Sequence, residues 1–272
     1  MGHKELEMAP SRVLHVLGRL DIGGAESRVM DLYRAIDRTR VQFDFMIHTK
    51  ERCYFEDEIE ALGGRIYRVP RFRLWNYISY RRAWESFFKT RAAADTYAAV
   101  HGHMTSTAAI YLPIAKRAGV PLCIAHARSA GTDPGIKGML TRLLRRRLLQ
   151  KADYAFACSI LAGLAVFGAG WEASPKKRIL KNAIRIADFR YDAKKRSQVR
   201  DRLGIPADAF VVGHVGRFHY AKNHEFLLRV FAKLSGGDFR LLLVGGGERL
   251  GEMKALAETL GIAEKCIFTG KQ

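Results

Sequence analysis

Short apolar runs rich in β-branched residues alternate along this chain with longer stretches in which apolar residues recur at helical spacing. The first apolar run covers residues 13–17, and a helical pattern at 25–35 separates it from the next run at 41–47. The alternation continues to residues 178–180. Strands that alternate with helices in this way are typical of βαβ units. The pattern therefore predicts an α/β fold with a parallel, doubly wound sheet.

The alternation stops and then restarts in the last third of the chain. Residues 182–200 carry a run of charges and few apolar residues, which is typical of a linker. Three strand patterns with two helical patterns between them follow within residues 210–269. We therefore predict two Rossmann-like domains, residues 1–190 and 191–272. Three strands and two helices make about half of an ordinary α/β domain, so the second domain is predicted to be incomplete.

Composition narrows the classes of protein and of partner. Hydrophobic residues make up 48% of the 272 residues, which excludes a disordered chain. Lys and Arg number 46 against 27 Asp and Glu, a formal net charge of +19. Such a surface attracts nucleic acid, anionic lipid headgroups or phosphorylated substrates. No helix-turn-helix, zinc or RNP-type pattern accompanies the charge, so we expect no nucleic-acid partner.

Cysteine usage and the start of the chain bear on its location. None of the four cysteines belongs to a C-x-x-C pair, which is typical of free thiols in a reducing compartment. Residues 1–5 lack the apolar stretch of a signal peptide, so we expect a cytoplasmic protein. Residues 154–171 carry no charge and are long enough to be considered as a membrane span. Because they are rich in Ala and Gly and interrupted by Ser159, we predict a buried strand, an N-cap and a helix instead.

Glycines and polar residues follow several predicted strands, at the edge where α/β proteins bind ligands. Gly23 and Gly24 open the first helix, where backbone donors favour an anion, although a plain tight turn explains them equally well. His103 follows a later strand and can orient a sugar hydroxyl or accept a proton. Arg128 follows the next strand and can meet a phosphate or a carboxylate. His101 alternates with His103 as metal ligands do, but no third ligand lies nearby in the sequence, so we expect no metal.

The most specific pattern is a loop of the second domain that carries two cations. Arg217 and Lys222 flank a short segment that follows Gly216 and joins a strand to a helix. This spacing can place both cations on one diphosphate, and the helix N-terminus adds backbone donors. A second loop at residues 245–248 has three glycines and a glutamate, a pattern that can wrap a nucleoside or a phosphate.

Together these segments resemble glycosyltransferase family 4, the GT-B enzymes that include many bacterial capsule and exopolysaccharide transferases. The resemblance runs from residue 13 to the end of the chain. Each matching segment is modest alone, but their order on corresponding strands makes the set specific. The segments are Gly23-Gly24-Ala25-Glu26, the strand end at His103, Ala157-Cys158-Ser159, Leu180-Lys181-Asn182-Ala183-Ile184, Gly216-Arg217, Lys222-Asn223, Gly245-Gly246-Gly247-Glu248 and Phe268-Thr269-Gly270.

The resemblance implies two Rossmann-like domains that face each other across a cleft, with the acceptor on the first and the nucleotide-sugar on the second. It implies transfer of a hexosyl group with retention, without metal or other cofactor, to a glycan or polyprenyl-linked acceptor. We expect a UDP-sugar rather than a GDP-sugar. The implied residues are catalytic His103; donor-diphosphate contacts Arg217, Lys222, Gly23 and Gly24; nucleotide contacts Gly216, Gly245, Gly246, Gly247 and Glu248; and acceptor-side Glu26, His126 and Arg128.

The chain departs from the family pattern at three places. Ala183 stands where the family usually has Gly, and Arg128 stands where relatives often have a second His. The E-x7-E segment that grips the donor's ribose and sugar would fall after Gln272, so we expect a chain truncated in its C-terminal domain that does not turn over as it stands. A fragment and a truncated gene product both remain open. The alternative function is a non-catalytic GT-B-like binding module or partner subunit.

One helical pattern, residues 138–150, combines apolar and basic side chains. Leu140, Leu143, Leu144 and Leu148 fall on one side, and arginines crowd much of the rest. That arrangement is typical of interfacial helices, so one interpretation is contact with an anionic membrane surface, with the protein peripheral on the inner face of the membrane. The other interpretation is that the leucines pack on the sheet and the arginines form a solvated face.

Overall fold

The computed structural model describes residues 9–91, 97–131, 135–234 and 236–272. The chain divides into two compact units, Met1–Arg185 and Ile186–Gln272. Both are built from parallel strands and helices, which confirms the predicted α/β fold class. Residues 1–5, on which the absence of a signal peptide was judged, lie outside the described residues.

The first unit contains a seven-stranded sheet in the order β3-β2-β1-β4-β5-β6-β7, and its neighbouring strands pair in parallel. Its strands are β1 (Ser11–Val16), β2 (Val41–Ile47), β3 (Arg65–Arg68), β4 (Tyr97–Gly102), β5 (Leu122–Ala127), β6 (Tyr154–Ala157) and β7 (Lys177–Ile179). The order reverses between β1 and β4. In open α/β sheets such a reversal opens a crevice at the carboxyl ends of the strands, where ligands bind.

Helices cover both faces of this sheet. They are α1 (Gly24–Ala35), α2 (Glu56–Ala61), α3 (Tyr77–Arg91), α4 (Thr105–Arg117), α5 (Gly135–Arg145), α6 (Leu148–Lys151) and α7 (Ile160–Phe167). On one face, Trp84 of α3 stacks on Tyr111 of α4 with ring centroids 4.7 Å apart, and both side chains are fully buried. On the other face, Tyr33 of α1 stacks on Phe43 of β2 at 5.1 Å. The first pair packs α3 against α4, and the second packs α1 against the sheet.

The second unit contains a three-stranded parallel sheet in the order β10-β9-β8. Its strands are β8 (Phe210–Val215), β9 (Phe239–Val244) and β10 (Cys266–Gly270), and its helices are α8 (Ala193–Leu203), α9 (His224–Phe231) and α10 (Leu250–Thr259). Its core surrounds Leu241 and Leu243 of the central strand, together with Phe218 from the loop after β8. That loop is therefore anchored by its own buried phenylalanine.

The segment predicted as a linker is largely helical. The Asp192 side chain accepts a hydrogen bond from the backbone N–H of Lys195 at 3.0 Å and so caps α8. Gly204, in the left-handed conformation at φ 64°, ends the helix. None of the α8 side chains is buried, which explains why apolar periodicity did not predict it.

Of two other helical predictions, the structure contradicts one and confirms the other. The single helix predicted at 138–150 is broken, because Arg147 adopts a left-handed conformation at φ 66° between α5 and α6. The uncharged segment 154–171 forms β6 and α7 as predicted, and the Ser159 side chain accepts a hydrogen bond from the N–H of Ala162. Among the described residues, no helix has the length and apolar character needed to cross a membrane.

Candidate active site

Four histidines gather at the carboxyl edge of the first sheet, where the strand order reverses. His15 of β1 lies in register beside His101 of β4, and both side chains point to the same face. His103 follows on that face two residues after His101, and His126 of β5 completes the set. We call these four residues the histidine cluster. His15 and His126 are almost fully buried, and His103 is 9% exposed.

A chain of hydrogen bonds runs from Arg128 into this cluster. The Arg128 Nε–H donates to His103 Nδ1 at 3.1 Å. Because that nitrogen accepts, the proton of a neutral His103 ring resides on Nε2, which lies 3.0 Å from His15 Nδ1 and donates to it. His15 then carries its own proton on Nε2, which is buried and has no hydrogen-bond partner within the described part of the chain. Both ring nitrogens of His103 are thus engaged.

Burial keeps all four rings neutral. It lowers the pKa of His15 and of His103 well below the ordinary histidine value, and the neighbouring His101 and the Arg128 cation add to the effect. Burial, followed by the charge of Arg128, lowers the pKa of His101 to about 3 and that of His126 to about 2. The cluster therefore supplies neutral hydrogen-bonding groups at neutral pH.

The histidine positions bear on metal binding. One ring nitrogen from each of His15, His101 and His103 lies within 4.8 Å of the others, so the premise that His101 and His103 have no third partner is wrong. Only the register between β1 and β4 reveals that partner. The Arg128 bond, however, places a proton on His103 Nε2, and a protonated ring nitrogen does not bind a metal.

Arg128 itself is a half-buried cation that pairs with no carboxylate among the described residues. Burial lowers the pKa of its guanidinium to about 10, an effect that Cys158 and Glu26 oppose only through longer-range charge interactions. Within the described residues, its hydrogen bond runs to His103, and no carboxylate approaches within ion-pairing distance. Desolvating a guanidinium without an anion is unfavourable.

The N-terminus of α1 lies at the same edge of the sheet. A Cβ atom at Gly24 would meet no heavy atom within 4 Å, so the space beside this residue is open. A Cβ at Gly23 would collide with Oε2 of Glu26, because the Glu26 side chain folds back over the start of the helix. Burial raises the pKa of Glu26, although the backbone N–H groups of Glu26 and Ala25 and the charge of Arg128 act in the opposite direction.

In the second unit, two loops are joined by backbone hydrogen bonds. We call residues 216–222 and 245–249 the glycine loops. The Gly216 N–H donates to Val244 O, and the Phe218 N–H donates to Gly246 O, each at 2.9 Å. Gly245 and Gly247 have φ values of 145° and 154°, which side-chain-bearing residues rarely adopt. A Cβ at Gly245 would collide with Gly216 O, so this close approach requires glycine.

The glycine loops place both predicted cations on one surface. Arg217 is exposed, and its Nη2 lies 3.0 Å from Oε2 of Glu248, the residue predicted to contact the nucleotide. Lys222 closes a short 3-10 turn, and its aliphatic stem passes 3.6 Å from the Cβ position of Gly216. An exposed ion pair contributes little because water screens it, so Glu248 is a replaceable partner for Arg217.

The structure thus brings together some of the predicted residues and adds others. His103 and Arg128 are in direct contact, whereas His126 contacts His101, with 3.0 Å between His126 Nδ1 and His101 Nε2. Arg217, Gly216, Lys222, Gly245, Gly246, Gly247 and Glu248 all lie on the glycine loops. The sequence analysis did not predict His15 as a site residue, although this histidine lies near the end of the predicted strand at residues 13–17.

This architecture defines a class of protein. Two α/β units, each with glycines and charged residues at the carboxyl edge of a parallel sheet, are typical of proteins that bind phosphorylated ligands. Comparison with known proteins then identifies the family. Residues 23–173 match the glycosyl transferase 4-like domain, and residues 195–272 match the glycosyl transferases group 1. The chain belongs to this family of glycosyltransferases.

Individual relatives agree with that assignment. The chain is 34% identical to glycosyltransferase EpsF of Bacillus subtilis, over 98% of this chain and 70% of EpsF. A shorter match, 34% identical over 36% of this chain and 24% of the relative, is to a Campylobacter jejuni enzyme named N-acetylgalactosamine-N,N'-diacetylbacillosaminyl-diphospho-undecaprenol 4-alpha-N-acetylgalactosaminyltransferase.

Solved structures confirm the fold. Anabaena HepE in complex with UDP-glucose superimposes with a TM-score of 0.74 at 18% identity, covering 96% of this chain and 69% of HepE. The glycosyltransferase from Rickettsia africae gives a TM-score of 0.68 at 14% identity, covering 97% and 69% of the two chains. The fold is that of the GT-B glycosyltransferases, as the sequence resemblance implied.

Proposed function

We propose that this protein transfers a hexosyl group from a UDP-sugar, with retention, to a glycan or polyprenyl-linked acceptor. The observation that carries the proposal is the pair of cations on the glycine loops. Arg217 and Lys222 border a surface where glycines bring backbone close together and where only an exposed carboxylate now meets Arg217. A diphosphate satisfies both cations better than that carboxylate, because charge-assisted phosphate contacts contribute about 1.5–3 kcal/mol each.

The choice of a UDP-sugar draws on relatives. HepE has been crystallised with UDP and with UDP-glucose, and it shares the fold of this chain. On the proposed assignment, Arg217 and Lys222 hold the diphosphate, while Gly216, Gly245, Gly246, Gly247 and Glu248 surround the nucleotide. No cofactor or metal is included in the proposal.

The acceptor is proposed to bind at the carboxyl edge of the first sheet. Glu26, His126 and Arg128 border that region. Gly23 and Gly24, which the family resemblance implies as diphosphate contacts, lie beside it at the start of α1. His103 is proposed to face the transferred sugar. Since both its ring nitrogens are engaged, His103 reaches a sugar hydroxyl only by giving up its bond to His15 or to Arg128. The Campylobacter relative, whose name includes a diphospho-undecaprenol substrate, supports a lipid-linked acceptor.

Contact with an anionic membrane surface is part of the same proposal. On α5, Met139 and Leu143 are 64% and 63% exposed, beside the exposed arginines 142 and 146. Leu148 is buried and Leu144 packs against the core, as the solvated-face interpretation requires, whereas Leu143 does not. Trp75, which precedes α3, is 80% exposed, and α3 and α5 flank α4 on the same side of the sheet. Exposed apolar side chains among arginines are typical of surfaces that dock on lipid headgroups.

The proposed donor site is tested by calorimetry with UDP and GDP. Wild-type protein should bind UDP more tightly than GDP, and Arg217→Ala and Lys222→Ala should each weaken UDP binding about tenfold or more. Arg229→Ala is the matched control, because Arg229 is an exposed arginine of the same unit that contacts Glu225 on its own helix. Equal UDP affinity in the wild type and in both loop variants contradicts the assignment.

A further inference from the structure

We infer that Arg128 forms an oxyanion subsite and that the acceptor of this enzyme carries a phosphate or carboxylate group. The inference deepens the proposed function and rests on it for the identity of the ligand as an acceptor. The first observation is how the guanidinium is oriented. Its Nε–H is held by His103 Nδ1, which leaves both Nη groups free to form a two-pronged contact with one oxyanion.

The second observation is that this half-buried cation has no counter-ion in the part of the chain that the structure describes. Glu26 is the nearby carboxyl group, yet it interacts with Arg128 only through charge at longer range and folds back over the start of α1. Arg12, a partly buried arginine of the same sheet, pairs with Asp44. Arg128 has no such carboxylate partner among the described residues, and it lies at the edge where ligands bind in this fold.

The histidine cluster explains how an unpaired cation is tolerated and positioned. His103 accepts a hydrogen bond from Arg128 and donates one to His15. These neutral rings therefore hold the guanidinium in place without cancelling its charge. A carboxylate in place of His103 would neutralise the cation and remove its affinity for an anion. We therefore assign His103 and His15 an additional role as positioning residues for Arg128.

A phosphate or a carboxylate fits this subsite, because both present paired oxygens to the guanidinium fork. Acceptors that carry a phosphate include sugar phosphates and lipid-linked diphosphates. Acceptors that carry a carboxylate include uronic acids. The donor phosphates are proposed to bind elsewhere, because their cations, Arg217 and Lys222, lie on the glycine loops. An experiment that isolates Arg128 must remove those cations first.

The test is titration of methyl phosphate, acetate and methanol into the Arg217→Ala/Lys222→Ala variant of the 272-residue chain, monitored by the NMR signals of the histidine rings. Methyl phosphate should bind and shift the signals of His103 and His15, and methanol should not. Adding Arg128→Gln should weaken methyl phosphate binding about tenfold or more. Adding Arg40→Gln, a change of an exposed arginine of the same unit, should leave it unchanged. Tighter binding of acetate than of methyl phosphate would assign the carboxylate source.

Arg128→Lys keeps the inference testable should the glutamine variant fail to fold. Lysine retains the charge but loses the fork, so methyl phosphate binding should weaken several-fold. The inference is overturned by absence of methyl phosphate binding in the parent variant, or by unchanged binding in every Arg128 variant that folds. Failure of the proposed function shows separately, as absence of UDP binding to the wild-type protein.

Discussion

Replacement of Gly245 by alanine tests whether the close approach of the glycine loops creates the donor site. Gly245 has φ 145°, and a Cβ atom there would collide with the carbonyl oxygen of Gly216. A non-glycine residue in this region costs about 1–3 kcal/mol in backbone strain. The collision involves backbone, which cannot rotate away, and such overpacking costs about 1–3 kcal/mol more.

The expected destabilisation of about 2–6 kcal/mol is a large share of the 5–15 kcal/mol that stabilises a typical domain. Gly251→Ala is the matched control. Gly251 lies in α10 with no heavy atom within 4 Å of its Cβ position, so alanine there should leave stability unchanged or raise it by up to about 1 kcal/mol.

Tryptophan fluorescence does not report on this change, because Trp75, Trp84 and Trp171 all belong to the first unit. Amide hydrogen exchange of β8 and β9 is the appropriate measurement, since it follows opening of the second unit alone. The Gly245→Ala variant should exchange faster there and bind UDP at least tenfold more weakly. Exchange and UDP affinity equal to those of Gly251→Ala would refute the reasoning.

Three further predictions concern the first unit. Burial lowers the pKa of all four rings of the histidine cluster, His15, His101, His103 and His126. Below pH 6.5 the unfolded chain therefore binds protons that the folded chain does not. The free energy of unfolding should fall with decreasing pH, by up to about 1.4 kcal/mol per pH unit for each ring. A urea midpoint of tryptophan fluorescence that stays constant from pH 7 to pH 5 would contradict this. Wild-type protein should co-sediment with phosphatidylglycerol vesicles at low salt, whereas a variant with Arg142 and Arg146 changed to Glu should bind less; equal binding would exclude α5 as a membrane contact. Purified protein should contain substoichiometric zinc, and a full-occupancy ion bound through His15, His101 and His103 would overturn the metal-free proposal.

Much of the fold was predictable because its strands are short apolar runs between glycine-rich or charged loops. Residues 41–47 were predicted as a strand with the bounds that the structure shows. The cations of the glycine loops were also predictable, since Arg217 and Lys222 share one strand-to-helix connection. Local pattern is sufficient for features that depend on neighbouring residues.

Features that depend on tertiary pairing were not predictable in this way. His15 is 88 residues from His103 in the sequence, and only the parallel register of β1 and β4 brings them within hydrogen-bonding distance. Helix α8 has no buried side chain, so it carries no apolar period. The break at Arg147 depends on a left-handed backbone conformation that arginine does not favour intrinsically.

A crystal structure of the protein with UDP tests the central claim most directly. The account predicts that the diphosphate lies on the glycine loops, within hydrogen-bonding distance of Arg217 and Lys222, and that Glu248 has released Arg217. A diphosphate bound at the carboxyl edge of the first sheet, with Arg217 still paired to Glu248 and Lys222 free of the ligand, would contradict it.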